Sequence, residues 1–202
     1  LALGYVLLGE TLEMQALVGG ATILGGIIVG TKDLIEEVKA FARHSGPALS
    51  PFNAWILSKS LETLALRMDR HSENALALAK FLESHPQVEL VKYPFLESHP
   101  QYEIARKQMK KGGGILSFII KGGIEAGRRF LDAIEMVSLS ANLGDSRTIV
   151  THPASTTHAR LTEEERLEVG IKPGLIRISV GLEHIDDITE DIRKALERSA
   201  AK

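Results

Sequence analysis

Leu175-Ile176-Arg177-Ile178-Ser179-Val180-Gly181 is the stretch on which the fold turns. Side chains alternate along a strand, so Ile176, Ile178 and Val180 share one wholly apolar face, and Leu175, Arg177 and Ser179 share the other. The apolar face needs a partner layer. Downstream, Ile185 to Ala200 spaces its apolar residues as a helix does, and upstream Glu163 to Val169 does the same behind a capping box of Thr162 and Glu165. Further back, Val88 to Tyr93, Gly114 to Ile120 and Glu135 to Ser140 read as strands, with helices at Tyr102 to Lys110 and Ile124 to Ala133. Ser50 caps a helix with Pro51 in its first turn; the apolar spacing carries it to about Phe81, and Asp33 to Ala42 forms a shorter helix before it. Four short strands with helices against them predict an α/β two-layer sandwich.

Composition narrows the function classes. The 202 residues hold 24 Lys and Arg against 26 Asp and Glu, a formal charge of −2, so no broad positive field draws in nucleic acid. There is no cysteine, which removes disulfides, thiolate nucleophiles and Cys-based zinc sites. The histidines outside the N-terminal quarter, at positions 71, 85, 99, 152, 158 and 184, have no metal-ligand spacing, so no metal site is expected. A cytoplasmic protein is the expectation. Composition changes near residue 31, dividing an apolar, glycine-rich segment (1–30) from a soluble domain (31–202). From Met14 to Gly30 there are 17 residues without a charge, which suits either a membrane span or a turn and buried strand rich in glycine. A membrane partner is expected only through residues 1–30.

Two places could carry chemistry. Ser138 to Leu161 gathers Asn142, Gly144, Asp145, Arg147, His152, Thr157 and His158 in a run too long and polar for a tight turn. It reads either as a solvated connection or as a functional loop. Arg177 stands on the face of its strand away from the apolar one. In water it is an ordinary surface residue; lining a cleft, its guanidinium requires an anion, and its planar fork matches a carboxylate.

These two segments, with Leu49-Ser50-Pro51-Phe52-Asn53-Ala54-Trp55 and the run from Leu61-Glu62-Thr63-Leu64 to His71-Ser72-Glu73-Asn74-Ala75, resemble the Cys/Met-metabolism family of pyridoxal-phosphate (PLP) enzymes over about Gly25 to Leu196. Within it, Ala141-Asn142-Leu143-Gly144-Asp145 followed by His152-Pro153-Ala154-Ser155-Thr156-Thr157-His158 is similar to the homoserine-ester sulfhydrylases, the succinyl-ester branch first and the acetyl-ester branch second. The synthase and lyase branches, the alternative, usually carry Ser at the position of Asn142. The resemblance implies the C-terminal domain of a fold-type I PLP enzyme, with a mostly antiparallel sheet and helices on one face. It implies PLP as electron sink, a homoserine ester and sulfide as substrates, homocysteine as product, and a homo-oligomer in the complete enzyme. Arg177 matches the family arginine that holds the substrate carboxylate. Asn142, Leu143 and Gly144 match positions beside the substrate, and Thr157 and His158 match positions near the cleft mouth. The Schiff-base lysine of the family has no match: no lysine precedes Lys32. No catalytic residue is therefore assigned, and the chain alone is expected to bind PLP poorly. Leu1 to Leu24 looks like the last hairpin of an EamA-type drug/metabolite transporter, which makes a junction of two unrelated sequences, a non-catalytic membrane-attached chimera, a further alternative.

Overall fold

The structure, a computed structural model, describes residues 30–46 and 49–200. The apolar segment 1–30, its transporter likeness and its choice between membrane span and buried strand lie outside the described residues except at Gly30. Among the described residues no helix is long and apolar enough to cross a membrane.

The chain divides after Leu64 into two compact units. The first holds α1 (Lys32–Ser45) and α2 (Pro51–Glu62). The Ser50 hydroxyl accepts the Asn53 amide at 3.2 Å and Pro51 fills the first turn, as the sequence predicts. The long helix expected from Ser50 to Phe81 is not continuous. Thr63, at φ −107° and ψ 5°, leaves the helical region, and α3 (Leu64–Glu83) starts anew after it.

The second unit is the sandwich. Its strands are β1 (Val88–Lys92), β2 (Ile115–Ile120), β3 (Ser138–Leu139), β4 (Ile149–Thr151) and β5 (Leu175–Ser179), in the order β1-β2-β5-β4-β3. Three pairings are antiparallel and β3–β4 is parallel. The helices are α4 (Tyr102–Gln108), α5 (Gly123–Asp132), α6 (Glu163–Glu168) and α7 (Ile185–Ala200). One face of the sheet is oily: Val91, Leu116, Phe118, Ile120, Val150, Ile176, Ile178 and Val180 are buried against Ala75, Leu78, Ala79 and Leu82 of α3, Phe130 of α5 and Ile188, Ile192 and Leu196 of α7. Phe118 and Phe130 meet edge to face at 5.7 Å. Helices thus cover one face, and five strands stand where the sequence showed four.

The extra strand is β4, which turns the supposed long polar loop into two shorter ones. Val137, read as part of β3, is instead held by a side chain. The buried Asp191 carboxylate of α7 accepts the amides of Glu135 (3.0 Å), Met136 (3.0 Å) and Val137 (2.9 Å), so ladder pairing begins only at Ser138.

Candidate functional site

The other face of the sheet carries a polar row. Register sets Ser117 of β2 and Thr151 of β4 on either side of Arg177 of β5. Arg177 is half-buried. Its Nη2 donates to Ala141 O at 2.7 Å and to Asn142 O at 3.0 Å, while among the described residues Nε and Nη1 have no protein partner. The guanidinium is therefore neither in open water nor fully satisfied. It faces the asparagine–glycine loop and keeps N–H groups for an anion.

The loop from Ala141 to Thr148 is tied down at several points by β5 and the turn after it. The Ser179 hydroxyl, two residues beyond Arg177 on the same face, accepts the Gly144 amide at 2.9 Å. Gly144 has φ +81°, where a side chain is strained, so glycine suits the corner. Leu182 N donates to Ser146 O at 2.8 Å. Thr148 gives its amide (2.5 Å) and hydroxyl (2.8 Å) to the Glu183 carboxylate and accepts the Gly181 amide at 2.8 Å. The loop thus runs beside β5 in the same direction, then reverses at Thr148 into β4. Ala141 to Asp145 line an open depression of about 540 Å³ at its surface. At the rim the Arg147 amide donates to the Asp145 carboxylate at 3.0 Å. That bond, with the nearby Arg147 guanidinium, holds the Asp145 carboxyl below the usual range.

Arg177, Asn142, Leu143 and Gly144 are accordingly brought together. Thr157 and His158 are paired with each other (Oγ1 to Nδ1, 2.8 Å) on the turn after the short Pro153–Ser155 helix, and the structure gives them no bond to Arg177. His152 is wholly buried. Its Nε2 lies 2.7 Å from Pro173 O and so carries the proton, which leaves Nδ1 to accept from Ser155 Oγ at 2.8 Å. Burial, opposed by the Pro173 bond, pushes its pKa below the ordinary histidine value. Ser179, Glu183 and Asp191 belong to no motif in the sequence. Ser179 is the legible one, since strand alternation sets it on the face of Arg177. Among the described residues no cluster of His, Asp or Glu could hold a metal ion.

Comparison with known proteins bears on this arrangement. A family model described as Cys/Met metabolism PLP-dependent enzyme matches residues 15–197. The match starts ten residues or so before Gly25, inside the stretch likened to a transporter hairpin; nothing in the comparisons supports that likeness. An O-succinylhomoserine sulfhydrylase of Pseudomonas aeruginosa is 50% identical over 86% of this chain and 43% of its own length. An L-methionine gamma-lyase of Pseudomonas putida is 48% identical over 90% of this chain and 46% of its own. A solved structure, a putative O-acetylhomoserine (thiol)-lyase of Campylobacter jejuni carrying N′-pyridoxyl-lysine-5′-monophosphate, superposes with a TM-score of 0.75 at 41% identity, over 84% of this chain and 41% of that one. The chain thus spans less than half the length of the relatives it matches. Among the described residues, none that lines the depression is a lysine. The described lining of the depression offers no amine to anchor the cofactor itself, while Arg177 beside it keeps N–H groups for an anion.

Proposed function

The chain belongs to the Cys/Met metabolism PLP-dependent enzyme family, and from that membership we propose that residues 31–202 form the substrate-carboxylate-binding domain of a homoserine-ester sulfhydrylase. The reaction proposed is replacement of the γ-acyloxy group of a homoserine ester by sulfide, giving homocysteine. One observation carries the reading: the Arg177 guanidinium lies at the Ala141–Asn142 carbonyls with Nε and Nη1 unpartnered among the described residues. A charged fork with spare donors beside a polar depression suits an amino-acid carboxylate. Gly144 is pinned to Ser179, and Asn142 and Leu143 line the depression beside it. Because the Schiff-base lysine of the family has no match in the chain, residues 31–202 on their own are expected to yield no homocysteine. A homo-oligomer and a cytoplasmic setting belong to the same proposal.

A second reading is a γ-lyase or cystathionine-type enzyme, favoured by the 48% identity to the Pseudomonas putida lyase. Asn142 tips the choice toward the sulfhydrylase, because the lyase and synthase branches of the resemblance usually carry Ser there. The test grafts residues 31–202 in place of the corresponding part of the Pseudomonas aeruginosa relative and offers the succinyl ester, the acetyl ester and methionine. Homocysteine formed from an ester and sulfide, with little ketoacid released from methionine, supports the sulfhydrylase. Ketoacid release from methionine as the main activity overturns it.

A further inference from the structure

Ser179 is a buried polar side chain of the second unit to which neither the sequence reading nor the carboxylate site gives a role. It sits two residues from Arg177 on the same face of the same strand, 3% exposed, and its hydroxyl reaches the one residue of the loop with a left-handed backbone. The two residues grip the loop differently. Arg177 takes two successive carbonyls, which a guanidinium can follow through small rotations of its long stem, whereas Ser179 has a short stem on a rigid central strand and takes a single amide at 2.9 Å. The short arm sets the position. With the Gly144 amide fixed over Ser179, the Ala141 and Asn142 carbonyls, three and two residues earlier, are held at Arg177 Nη2, which orients the guanidinium plane and leaves Nε and Nη1 without a protein partner among the described residues.

We propose that Ser179 is a positioning residue: its hydroxyl fixes the Gly144 corner, and through that corner sets the orientation of the Arg177 guanidinium. The importance of this for turnover rests on the carboxylate reading of Arg177, but the clamp is measured without it. Core packing cannot replace the clamp. Ser179 pairs with Ile115 and Ile149 through the backbone ladder, and those bonds survive any change of its side chain.

The test uses the full 202-residue chain, isotopically labelled, and compares wild type, Ser179→Ala and Ser179→Thr. Two signals are read: hydrogen exchange at the Gly144 amide, and the Arg177 side-chain Nε–H resonance with the rotation of its Nη groups. In Ser179→Ala the Gly144 amide is expected to exchange about tenfold faster or more, the gain from losing one hydrogen bond in a part-buried site. The Arg177 Nη groups should pass from restrained to free rotation, with the Phe118 and Ile176 amides unchanged. Ser179→Thr keeps the hydroxyl and should restore both signals. Unchanged Gly144 exchange in Ser179→Ala overturns the clamp. Faster exchange with an unaltered Arg177 signal overturns the positioning role. Failure of the carboxylate reading is a separate result, visible as an unchanged KM when Arg177 is truncated in the graft.

Discussion

Replacing Asp191 by Asn should loosen the approach to the site at a cost that can be worked from three bonds. The carboxylate is 6% exposed and accepts Glu135 N through Oδ1 and both Met136 N and Val137 N through Oδ2. Asn retains one acceptor oxygen. Placed at the Oδ2 position it keeps two bonds, now uncharged, and turns its own N–H groups toward Glu135 N. A hydrogen bond to a charged group is worth about 1.5–3 kcal/mol, so one lost bond plus the weakening of two predicts a destabilisation of about 2–4 kcal/mol. For a chain of this size that corresponds to a fall in Tm of roughly 4–16 °C. Because these amides lead into β3 and then into the Ala141–Asp145 loop, local exchange at Ser138 and Leu139 should quicken before the β2–β5 ladder responds. Thermal unfolding followed by circular dichroism, with amide exchange on the same samples, measures both. Asp191→Asn within about 0.5 kcal/mol of wild type, the scale of an ordinary surface change, would refute the reasoning that this carboxylate terminates β3.

Further outcomes concern His152. Alanine normally favours a helix interior over glycine by about 1 kcal/mol. Gly127→Ala should nevertheless destabilise by about 1–3 kcal/mol, because overpacking outweighs propensity where the new Cβ would lie 2.7 Å from a buried His152 Nε2; a Tm raised by the change would contradict that contact. As for pH, the His152 pKa is lowered in the folded chain, so the unfolded chain binds the extra proton. The contribution is whole above the unfolded pKa of about 6.5 and is lost as pH falls from there toward the folded value. Chemical denaturation from pH 7.5 to 5 should show stability falling, with a shallower fall in His152→Gln. His85, also lowered by burial, adds in the same direction and leaves a residual slope in that variant.

Much of this fold is legible in the sequence, for reasons that differ by element. Helix α7 appears with the bounds its spacing predicts, and the Thr162–Glu165 capping box forms with both of its bonds. There the signal is local. Strand β4 is invisible for the opposite reason. Ile149, Val150 and Thr151 are buried on both faces, so no alternation marks them, and three residues inside a polar run read as loop. β3 looked longer than it is because Met136 and Val137 are strand-like, yet their amides go to a carboxylate far along the chain. The site shows the same division. Arg177 and the Asn142–Gly144 corner stand out as residue types in a pattern. Their mutual bonds, and those of Ser179 and Glu183, depend on a sheet register that no local spacing reveals.

The carboxylate role of Arg177 is tested most directly by KM in the grafted enzyme. With the homoserine ester as varied substrate, Arg177→Ala should raise KM by about 30-fold or more, the loss expected when one partner of a charged pair is removed. Arg177→Lys, which keeps the charge without the fork, should recover only part of it. A KM unchanged in Arg177→Ala, in a protein that still folds and still turns over, would contradict the claim that this guanidinium binds the substrate carboxylate.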